Sequence, residues 1–270
     1  MDNYICTTCG VQYAATAAEP TNCPICEDDR QYVNPNGQSW TTLEALRRDH
    51  HNVFREIEPG MTGIVTEPKF AIGQRPALIQ TAQGNVLWEC NSLIDDATVA
   101  AVNNLGGIDA IAISHPHFYD SMVAWSHAFD NVPIYLHAAN REWVMRPDPA
   151  IVYWETETYS VNAEITLIRC GGHFPGSSVL HWSQGAAGKG VLLTGDTIMV
   201  VADTRWVTFL YSYPNDIPLN AREVRGIVDA VDPFAFDRLY SSWWDKVVAT
   251  DAKAAVERSA ERYIRHISEA

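Results

Sequence analysis

The sequence has few basic residues and no long apolar run. Its 270 residues include 19 Lys and Arg against 33 Asp and Glu, which gives a formal net charge of -14. Because so negative a field repels phosphate backbones, we expect no nucleic-acid partner. No apolar run approaches the roughly 20 residues that span a bilayer, so we expect no membrane partner either.

A secretion signal, a short repeat and a low-complexity tract are also missing. The first residues, MDNYICTTCG, have neither the basic nor the apolar region of a signal peptide, so we expect a cytoplasmic protein. The composition, 47% hydrophobic and 19% charged, is typical of a globular enzyme-sized chain. We expect a small-molecule substrate; the sequence does not indicate an oligomeric state.

Cysteine is scarce, but four of the six cysteines are clustered. Cys6 and Cys9 form one C-x-x-C pair, Cys23 and Cys26 form a second pair, and thirteen residues lie between the two pairs. Paired C-x-x-C turns in a cytosolic protein are typical of a metal site, because two turns together offer a tetrahedron of thiolates. Two disulfides or unrelated thiols are the alternative. The remaining two cysteines, Cys90 and Cys170, are predicted to be buried packing residues.

The metal in this cluster is predicted to be zinc, with iron as the alternative. The two pairs also resemble the knuckles of rubredoxins, in which four such sulfurs hold one iron. Residues 1–38 contain few large apolar side chains, so metal binding is expected to supply their folding energy. We predict a four-cysteine zinc-ribbon or rubredoxin-like module over 1–38 and a second domain over 39–270.

The rest of the sequence alternates predicted strands and helices. A hairpin turns at 83–85, and a helix follows with Asp95 or Asp96 as its N-cap. Further strands are predicted at IDAIAIS, VPIYLHA, EITLIRC, GVLLTGD and FDRLYSS, and further helices near ANREWVM, at PLNAREVRGIVDAV and at the C-terminus. This order predicts an α/β fold of layered sheets with helices packed outside. In such folds, polar residues at the carboxyl ends of strands line the site.

Candidate metal ligands stand at three of these strand ends. His115 and His117 follow IDAIAIS, His173 follows EITLIRC, and Asp196 ends GVLLTGD. In extended backbone, residues i and i+2 face the same side, so His115 and His117 are expected to reach one ion. A single H-x-H is a weak motif, but three imidazoles and a carboxylate at successive strand ends form a metal-ligand set.

These motifs, SHPH, GGHFPGSS and LLTGDT, resemble in order and spacing those of the metallo-β-lactamase fold superfamily. The resemblance covers about residues 61–245. It implies an αββα sandwich with metal in a cleft at one sheet edge, and it places Glu89 at the first acidic position of the family. Members hydrolyse lactams, thioesters, lactones, phosphodiesters and other bonds, and one branch uses a single iron to oxidise sulfur substrates.

The sequence departs from the family pattern where the family builds its second metal site. The usual His-x-His-x-Asp-His becomes His-Pro-His-Phe-Tyr-Asp, with Tyr119 at the Asp position and Asp120 at the last His position. Alternatively, a one-residue insertion moves Asp120 into the role of the family's Asp. The strand RLYSS leads to SSWWD (241–245) without a histidine. The resemblance therefore implies one metal ion in the cleft, held by the three histidines with Asp196 as the candidate fourth ligand.

The predicted function is a metal-dependent hydrolase that uses a metal-bound hydroxide on a small ester, thioester, lactone or amide. Asp196 or Asp120 would orient the water and accept its proton, and Tyr119 would donate a hydrogen bond to a developing oxyanion. Zinc is expected in the cleft, with iron as the alternative.

Two other functions remain open at this point. If His117 is not a ligand, His115, His173 and Asp196 form the two-histidine, one-carboxylate set of non-haem iron enzymes, which resembles the iron site of the persulfide dioxygenases in the family. Alternatively, the protein binds metal without catalysing a reaction.

Overall fold

The computed structural model describes residues 1–268, which form two compact units. Unit 1 comprises Met1–Leu136 and Arg141–Tyr153, and unit 2 comprises His137–Asn140 and the described chain from Trp154 onward. Within residues 1–268, no helix has both the length and the apolar character that crossing a membrane requires.

The strands of the described chain are numbered in chain order. They are β1 (Ile5–Cys6), β2 (Trp40–Thr41), β3 (His51–Glu58), β4 (Met61–Glu67), β5 (Ala77–Ile79), β6 (Val86–Trp88), β7 (Ala110–Ala112), β8 (Ile134–His137), β9 (Ile151–Trp154), β10 (Thr158–Ser160), β11 (Ile165–Arg169), β12 (Ser178–Trp182), β13 (Val191–Leu193), β14 (Met199–Val200), β15 (Val207–Thr208), β16 (Leu210–Ser212), β17 (Ile217–Pro218), β18 (Arg238–Tyr240) and β19 (Val247–Val248).

The helices are numbered in the same way. They are α1 (Pro24–Glu27), α2 (Leu43–Asp49), α3 (Asp96–Asn104), α4 (Met122–Ala128), α5 (Gly185–Gly188), α6 (Ala221–Val231) and α7 (Ala252–Ser268), with 3-10 turns at Pro116–Phe118 and Ala138–Trp143.

Unit 1 is built on a seven-stranded sheet in the order β3-β4-β5-β6-β7-β8-β9. The predicted hairpin is confirmed, since β5 pairs antiparallel with β6. Strands β6, β7 and β8 are parallel, and α3 connects the first two of them. Asp95 caps this helix by accepting a hydrogen bond from the Thr98 amide at 2.7 Å, as predicted. The carboxyl end of β7 therefore lies in the middle of the sheet, where side chains are buried.

Unit 2 is built on a six-stranded sheet in the order β10-β11-β12-β13-β18-β19, in which β13 and β18 are parallel. Its apolar core joins the inward faces of α6 and α7 to this sheet, and Phe209, Val224, Ile227 and Leu239 are fully buried in it. The loops that follow β11 and β13 carry His173 and Asp196.

The four-cysteine segment (residues 1–38) packs against the rest of unit 1. β1 pairs with β2, so that Cys6 lies opposite Trp40, just beyond the predicted boundary at 38. Ile5 is fully buried in one apolar cluster with Leu46 and Leu93. The division at residue 38 stays a prediction, but this segment shares an apolar cluster with residues of unit 1 beyond that boundary.

Candidate metal centres

The four clustered cysteines form one group of candidate metal ligands, and their sulfurs all lie within 4.8 Å of one another. The Sγ atoms of Cys6 and Cys26 are 3.6 Å apart, and those of Cys9 and Cys23 are 3.7 Å apart. A disulfide requires about 2.05 Å, so the disulfide alternative is wrong. A tetrahedral ion with bonds of about 2.3 Å separates its sulfurs by about 3.8 Å, which fits these distances.

Two polar side chains donate hydrogen bonds to this sulfur group. The Tyr13 hydroxyl donates to Cys23 Sγ at 3.1 Å, and the Gln38 side-chain amide donates to Cys6 Sγ at 3.1 Å. Donors of this kind stabilise negative charge on sulfur, as metal-binding thiolates require. The cluster therefore fits one metal ion, whose identity the geometry leaves open between zinc and iron.

The first two histidines follow β7; His115 still has extended backbone, but His117 lies in a turn. Pro116–Phe118 forms a single 3-10 turn, closed by the Phe118 amide donating to the His115 carbonyl at 3.1 Å. The i, i+2 argument for a shared face is therefore wrong, because proline starts a turn here. The turn instead places the rings of His115 and His117 at 5.1 Å between centroids, and both side chains are buried.

Two residues of unit 1 orient the His115 ring and its backbone. Ser114 Oγ lies 2.7 Å from His115 Nδ1, so a proton on Nδ1 directs Nε2 toward a metal. The Ser114 amide donates to Glu89 Oε2 at 3.1 Å, and Glu89 is fully buried. The acidic residue that follows β6 thus holds the start of the histidine turn through the backbone.

His173 lies in the loop after β11, where two glycines reverse the chain. Gly171 and Gly172 both have positive φ, at 67° and 76°. A Cβ on Gly172 would lie 2.9 Å from Ile227 and Leu219, so the loop packs directly on the core of unit 2. The Tyr211 carbonyl accepts a hydrogen bond from His173 Nδ1 at 2.8 Å. The proton therefore sits on Nδ1, and Nε2 is the nitrogen that can bind a metal.

Asp196 follows β13 and lies beside His173 in unit 2. Its Oδ2 atom is 4.0 Å from His173 Nε2, and its side chain is buried. The Tyr213 hydroxyl donates to the Asp196 backbone carbonyl at 2.9 Å, and its ring centroid is 5.9 Å from that of His173. Burial and the Asp196 carboxylate raise the pKa of Tyr213, which keeps the hydroxyl protonated as a donor.

The second group of candidate ligands comprises His115, His117, His173 and Asp196. His115 and His117 belong to unit 1, His173 and Asp196 belong to unit 2, and all four side chains are buried. Three imidazoles and one carboxylate suit zinc and also iron. All four residues predicted from the strand ends thus belong to one candidate group for a metal ion, whose identity the donor set does not fix.

Asp120, predicted as a catalytic base, is almost fully buried within unit 1. Its Oδ1 atom lies 2.5 Å from Ser92 Oγ, and Gln74 donates to Oδ2. Burial raises the pKa of the Asp120 carboxyl to about 8, although both hydrogen bonds lower it. A carboxyl with these partners fits a structural role better than proton transfer; its catalytic role stays a prediction.

Tyr119, predicted as an oxyanion donor, is also buried, and its role stays a prediction. Cys90 is fully buried, as predicted, whereas Cys170, the first residue after β11, is only half-buried. After β18, Ser241 stands near the position where the family has its late histidine. Its hydroxyl accepts from the Val200 amide at 2.9 Å and reaches the Ile198 carbonyl at 3.2 Å, so it ties two segments of unit 2 together.

Sequence reasoning missed Ser92, Gln74, Tyr211 and Tyr213. Tyr211 acts through its backbone carbonyl, which no sequence pattern reveals. Ser92 and Gln74 stand in loops without a motif. Tyr213 lies seventeen residues beyond Asp196 and carried no signal beyond its residue type.

Comparison with known proteins gives one relative over the whole length. No family model matches the chain. The chain is 50% identical, over 270 residues, to the uncharacterized protein YmaE of Bacillus subtilis strain 168, covering 99% of this chain and 98% of that protein. The chain belongs to the YmaE family.

Solved structures similar to this YmaE-family chain include metallo-β-lactamases. VMB-1 gives a TM-score of 0.58 at 10% identity, covering 81% of this chain and 98% of the other. FIM-1 from Pseudomonas aeruginosa, in a mono-zinc form, gives 0.56 at 15% identity, covering 78% and 95%. A B3 enzyme with an active-site glutamic acid gives 0.52 at 15% identity, covering 84% and 96%.

At these identities the likeness shows the fold alone. The predicted metallo-β-lactamase fold is confirmed, an αββα sandwich preceded in this chain by a four-cysteine cluster. The His/Asp group fits a metal ion, and the activity, the metal, the substrate and the mechanism are proposals.

Proposed function

We propose that the protein is a metal-dependent hydrolase with one metal ion bound by His115, His117, His173 and Asp196. The observation that carries the proposal is the donor set itself, three buried imidazoles and a buried carboxylate, in a chain with the metallo-β-lactamase fold. A bound zinc ion would act as a Lewis acid, lowering the pKa of water to about 7 and polarising a substrate carbonyl.

The residues around this set prepare it for a metal before any ion binds. Ser114 and the Tyr211 carbonyl each occupy the Nδ1 side of a histidine ring, which turns Nε2 of His115 and His173 toward the ligand. Tyr213 holds the Asp196 backbone through its hydroxyl. Preorganised ligands of this kind raise metal affinity, because less ordering entropy is lost on binding.

Asp196 is the proposed acid–base group. Its carboxylate lies beside His173, so when water takes the fourth position on the metal, Asp196 can orient that water and accept its proton. Asp120 is less suited to this role, since Ser92 and Gln74 already engage both of its oxygens.

The proposed substrate is a small ester, thioester, lactone or amide. A β-lactam belongs among the amides to be tested, because the solved neighbours are metallo-β-lactamases. The one-metal proposal has a separate basis, since Asp120 is engaged in unit 1 and Ser241 in unit 2, at or near two of the three positions where the family would place second-site ligands.

The test starts with elemental analysis of protein purified without added metal. The protein is then stripped with chelator and assayed on a panel of thioester, lactone, ester, β-lactam and persulfide substrates after adding Zn2+, Mn2+ or Fe2+. The proposal expects turnover to disappear with chelator and to return with Zn2+ or Mn2+ under anaerobic conditions.

Two results would contradict the hydrolase proposal. Turnover that returns only with Fe2+ and oxygen, on a persulfide, would favour the dioxygenase alternative. Metal binding without turnover on any member of the panel would favour a non-catalytic metal protein.

A further inference from the structure

Asp120 connects the histidine turn to the four-cysteine segment within unit 1. It stands three residues after His117, and its backbone has a positive φ of 38°, which few residues other than Asn, Asp and Gly adopt readily. Its backbone carbonyl accepts a hydrogen bond from the Gln12 amide at 2.9 Å. The end of the turn is therefore held by the backbone of the four-cysteine segment.

Gly10 brings the first cysteine turn into direct contact with Asp120. The Gly10 amide donates to the Cys6 carbonyl at 2.8 Å and closes the turn that carries Cys6 and Cys9. A Cβ on Gly10 would lie 2.5 Å from Asp120 Oδ1 and 2.7 Å from Ser92 Oγ. Only glycine fits here, because the site is too close to Asp120 for a side chain and because Gly10 has a φ of 87°.

Ser92 joins these two residues through its hydroxyl. Ser92 Oγ lies 2.9 Å from the Gly10 carbonyl and 2.5 Å from Asp120 Oδ1. A hydroxyl has one hydrogen, so Ser92 donates to either Asp120 or Gly10 at any moment, and with a protonated Asp120 as donor both contacts are hydrogen bonds. Gln74 completes the network by donating to Asp120 Oδ2 and to the Cys90 carbonyl.

We propose that the four-cysteine segment positions the proposed active site, because its first turn holds the loop of His115 and His117 through the buried network of Gly10, Ser92, Gln74 and Asp120. Asp120 is then a positioning residue and not a catalytic one. The inference rests on the proposed function in one respect, that the loop carries metal ligands. Metal loading of the cysteine group and order in the histidine turn are coupled.

Other contacts prevent the segment from moving independently of unit 1. The Ala14 amide donates to the Met145 carbonyl at 3.1 Å, and Arg146 donates to the Gln12 side chain. Loss of the cysteine-bound metal is therefore expected to loosen the histidine turn, because packed and hydrogen-bonded residues connect the two.

Gly10→Ala tests this path, and Gly37→Ala is its matched control. Both glycines lie in the four-cysteine segment and have positive φ, at 87° and 92°, but a Cβ on Gly37 meets nothing within 4 Å. Both variants carry the same backbone strain, while only Gly10→Ala pushes on Asp120. The readout is amide hydrogen exchange of residues 115–122 in the full-length, metal-loaded protein.

We expect exchange in residues 115–122 to be about tenfold faster in Gly10→Ala than in wild type, and unchanged in Gly37→Ala. Chelator should also remove the metal of the His/Asp group at a lower concentration from Gly10→Ala. Equal exchange in the two variants would overturn the proposal.

Variants outside the cysteine turns test the same network without the risk that the four-cysteine segment fails to fold. Ser92→Ala should raise exchange in residues 115–122 while the cysteine-bound metal stays. Asp120→Asn keeps a donor toward Ser92 and an acceptor toward Gln74, and Asn tolerates the positive φ, so its exchange should stay within about twofold of wild type. Asp120→Ala should raise exchange about tenfold. If Asp120→Asn matches Asp120→Ala, the network is wrong.

These measurements separate the inference from the proposed function. Hydrogen exchange does not depend on turnover, so the coupling can be present in a protein that hydrolyses nothing on the panel. Conversely, if the protein is a hydrolase but Gly10→Ala and Ser92→Ala leave amide exchange in residues 115–122 unchanged, the proposed function stands and the proposed coupling is wrong.

Discussion

The two groups of candidate metal ligands are built in opposite ways. The four cysteines come from two short turns within residues 6–26, whereas the ligands of the His/Asp group come from three loops spread over residues 115–196. The first group offers four soft thiolates, and the second offers three imidazoles and one carboxylate. Four thiolates complete a tetrahedron and leave no position for a substrate, whereas histidine and carboxylate ligands are typical of catalytic sites.

The supporting contacts differ in the same sense. Side chains donate directly to the cysteine sulfurs, as Tyr13 and Gln38 do. Around the histidines, the contacts fix ring tautomers instead, as the Tyr211 carbonyl does for His173. The contacts at the cysteine site stabilise negative charge on the ligands, whereas those at the His/Asp site orient the ligand nitrogens. This is the difference expected between a structural metal and a reactive one.

The largest effect is expected for His173→Ala. Removal of one imidazole should release the metal of the His/Asp group and leave the cysteine-bound metal, so elemental analysis should fall from two ions per chain to one. Turnover should drop by roughly 100-fold or more. His51→Ala, at an exposed histidine, is the control and should keep both ions. A wild-type protein that holds three ions after dialysis would contradict the one-metal proposal.

Cys26→Ser should affect the other metal. The variant removes one soft ligand, so the cysteine-bound ion should be lost and the unfolding temperature should fall by about 5 °C or more. Cys170→Ser is the control, because Cys170 lies outside the cluster and its contact to the Ile168 carbonyl is one that serine can make. Retention of both ions in Cys26→Ser would show that the cluster is not a metal site.

Tyr213→Phe should give a smaller effect on the His/Asp group. The change removes only the hydroxyl that donates to the Asp196 carbonyl. Metal affinity should fall about tenfold, as is usual for residues that support a ligand. Competition with a chromogenic chelator measures the affinity, and Tyr32→Phe, at an exposed tyrosine, is the control. An unchanged affinity would show that Asp196 does not need this support.

The smallest effect is a pH dependence of stability at Asp120. The pKa of Asp120 is about 8 in the folded protein against an ordinary value of 3.8. Between these values the folded state binds more protons than the unfolded state, so this contribution is complete below about pH 4 and is lost as the pH rises through about 8. Ser92, Gln74 and the neutral thiol of Cys90 face the carboxyl.

Asp120→Asn cannot titrate and should lack this contribution. Urea unfolding between pH 5 and pH 8.5 should therefore show wild-type stability falling faster with pH than that of the variant. Parallel curves for the two proteins would mean that the carboxyl is already ionised in the fold.

The sequence predicted both ligand groups because each depends on local signals. C-x-x-C spacing is enough for Cys6 and Cys9, and a strand followed by polar residues is enough for His173 and Asp196. The turn at His117 could not be predicted from alternation, because Pro116 starts a 3-10 turn where the pattern suggested extended backbone.

The hydrogen-bond network at Asp120 could not be predicted from the sequence, for a different reason. It depends on residues that are distant in sequence, Gly10, Gln74, Ser92 and Asp120, and their proximity follows from sheet topology. Strand β3 (His51–Glu58) was not predicted either, because its outer residues are exposed and its polar and apolar residues do not alternate cleanly. Its pairing with β4 supplies the order that its own sequence does not.

The shared apolar cluster of Ile5, Leu46 and Leu93 has a consequence for biosynthesis. The four-cysteine segment leaves the ribosome before Leu93 and Asp120, which follow many residues later. Until then, the apolar face of Ile5 is exposed to solvent on a nascent chain, and such surfaces promote aggregation. Metal capture by the cysteines as they emerge would keep this segment compact during the wait, so we expect metal starvation to lower the yield of soluble protein more than it lowers the stability of chains already folded.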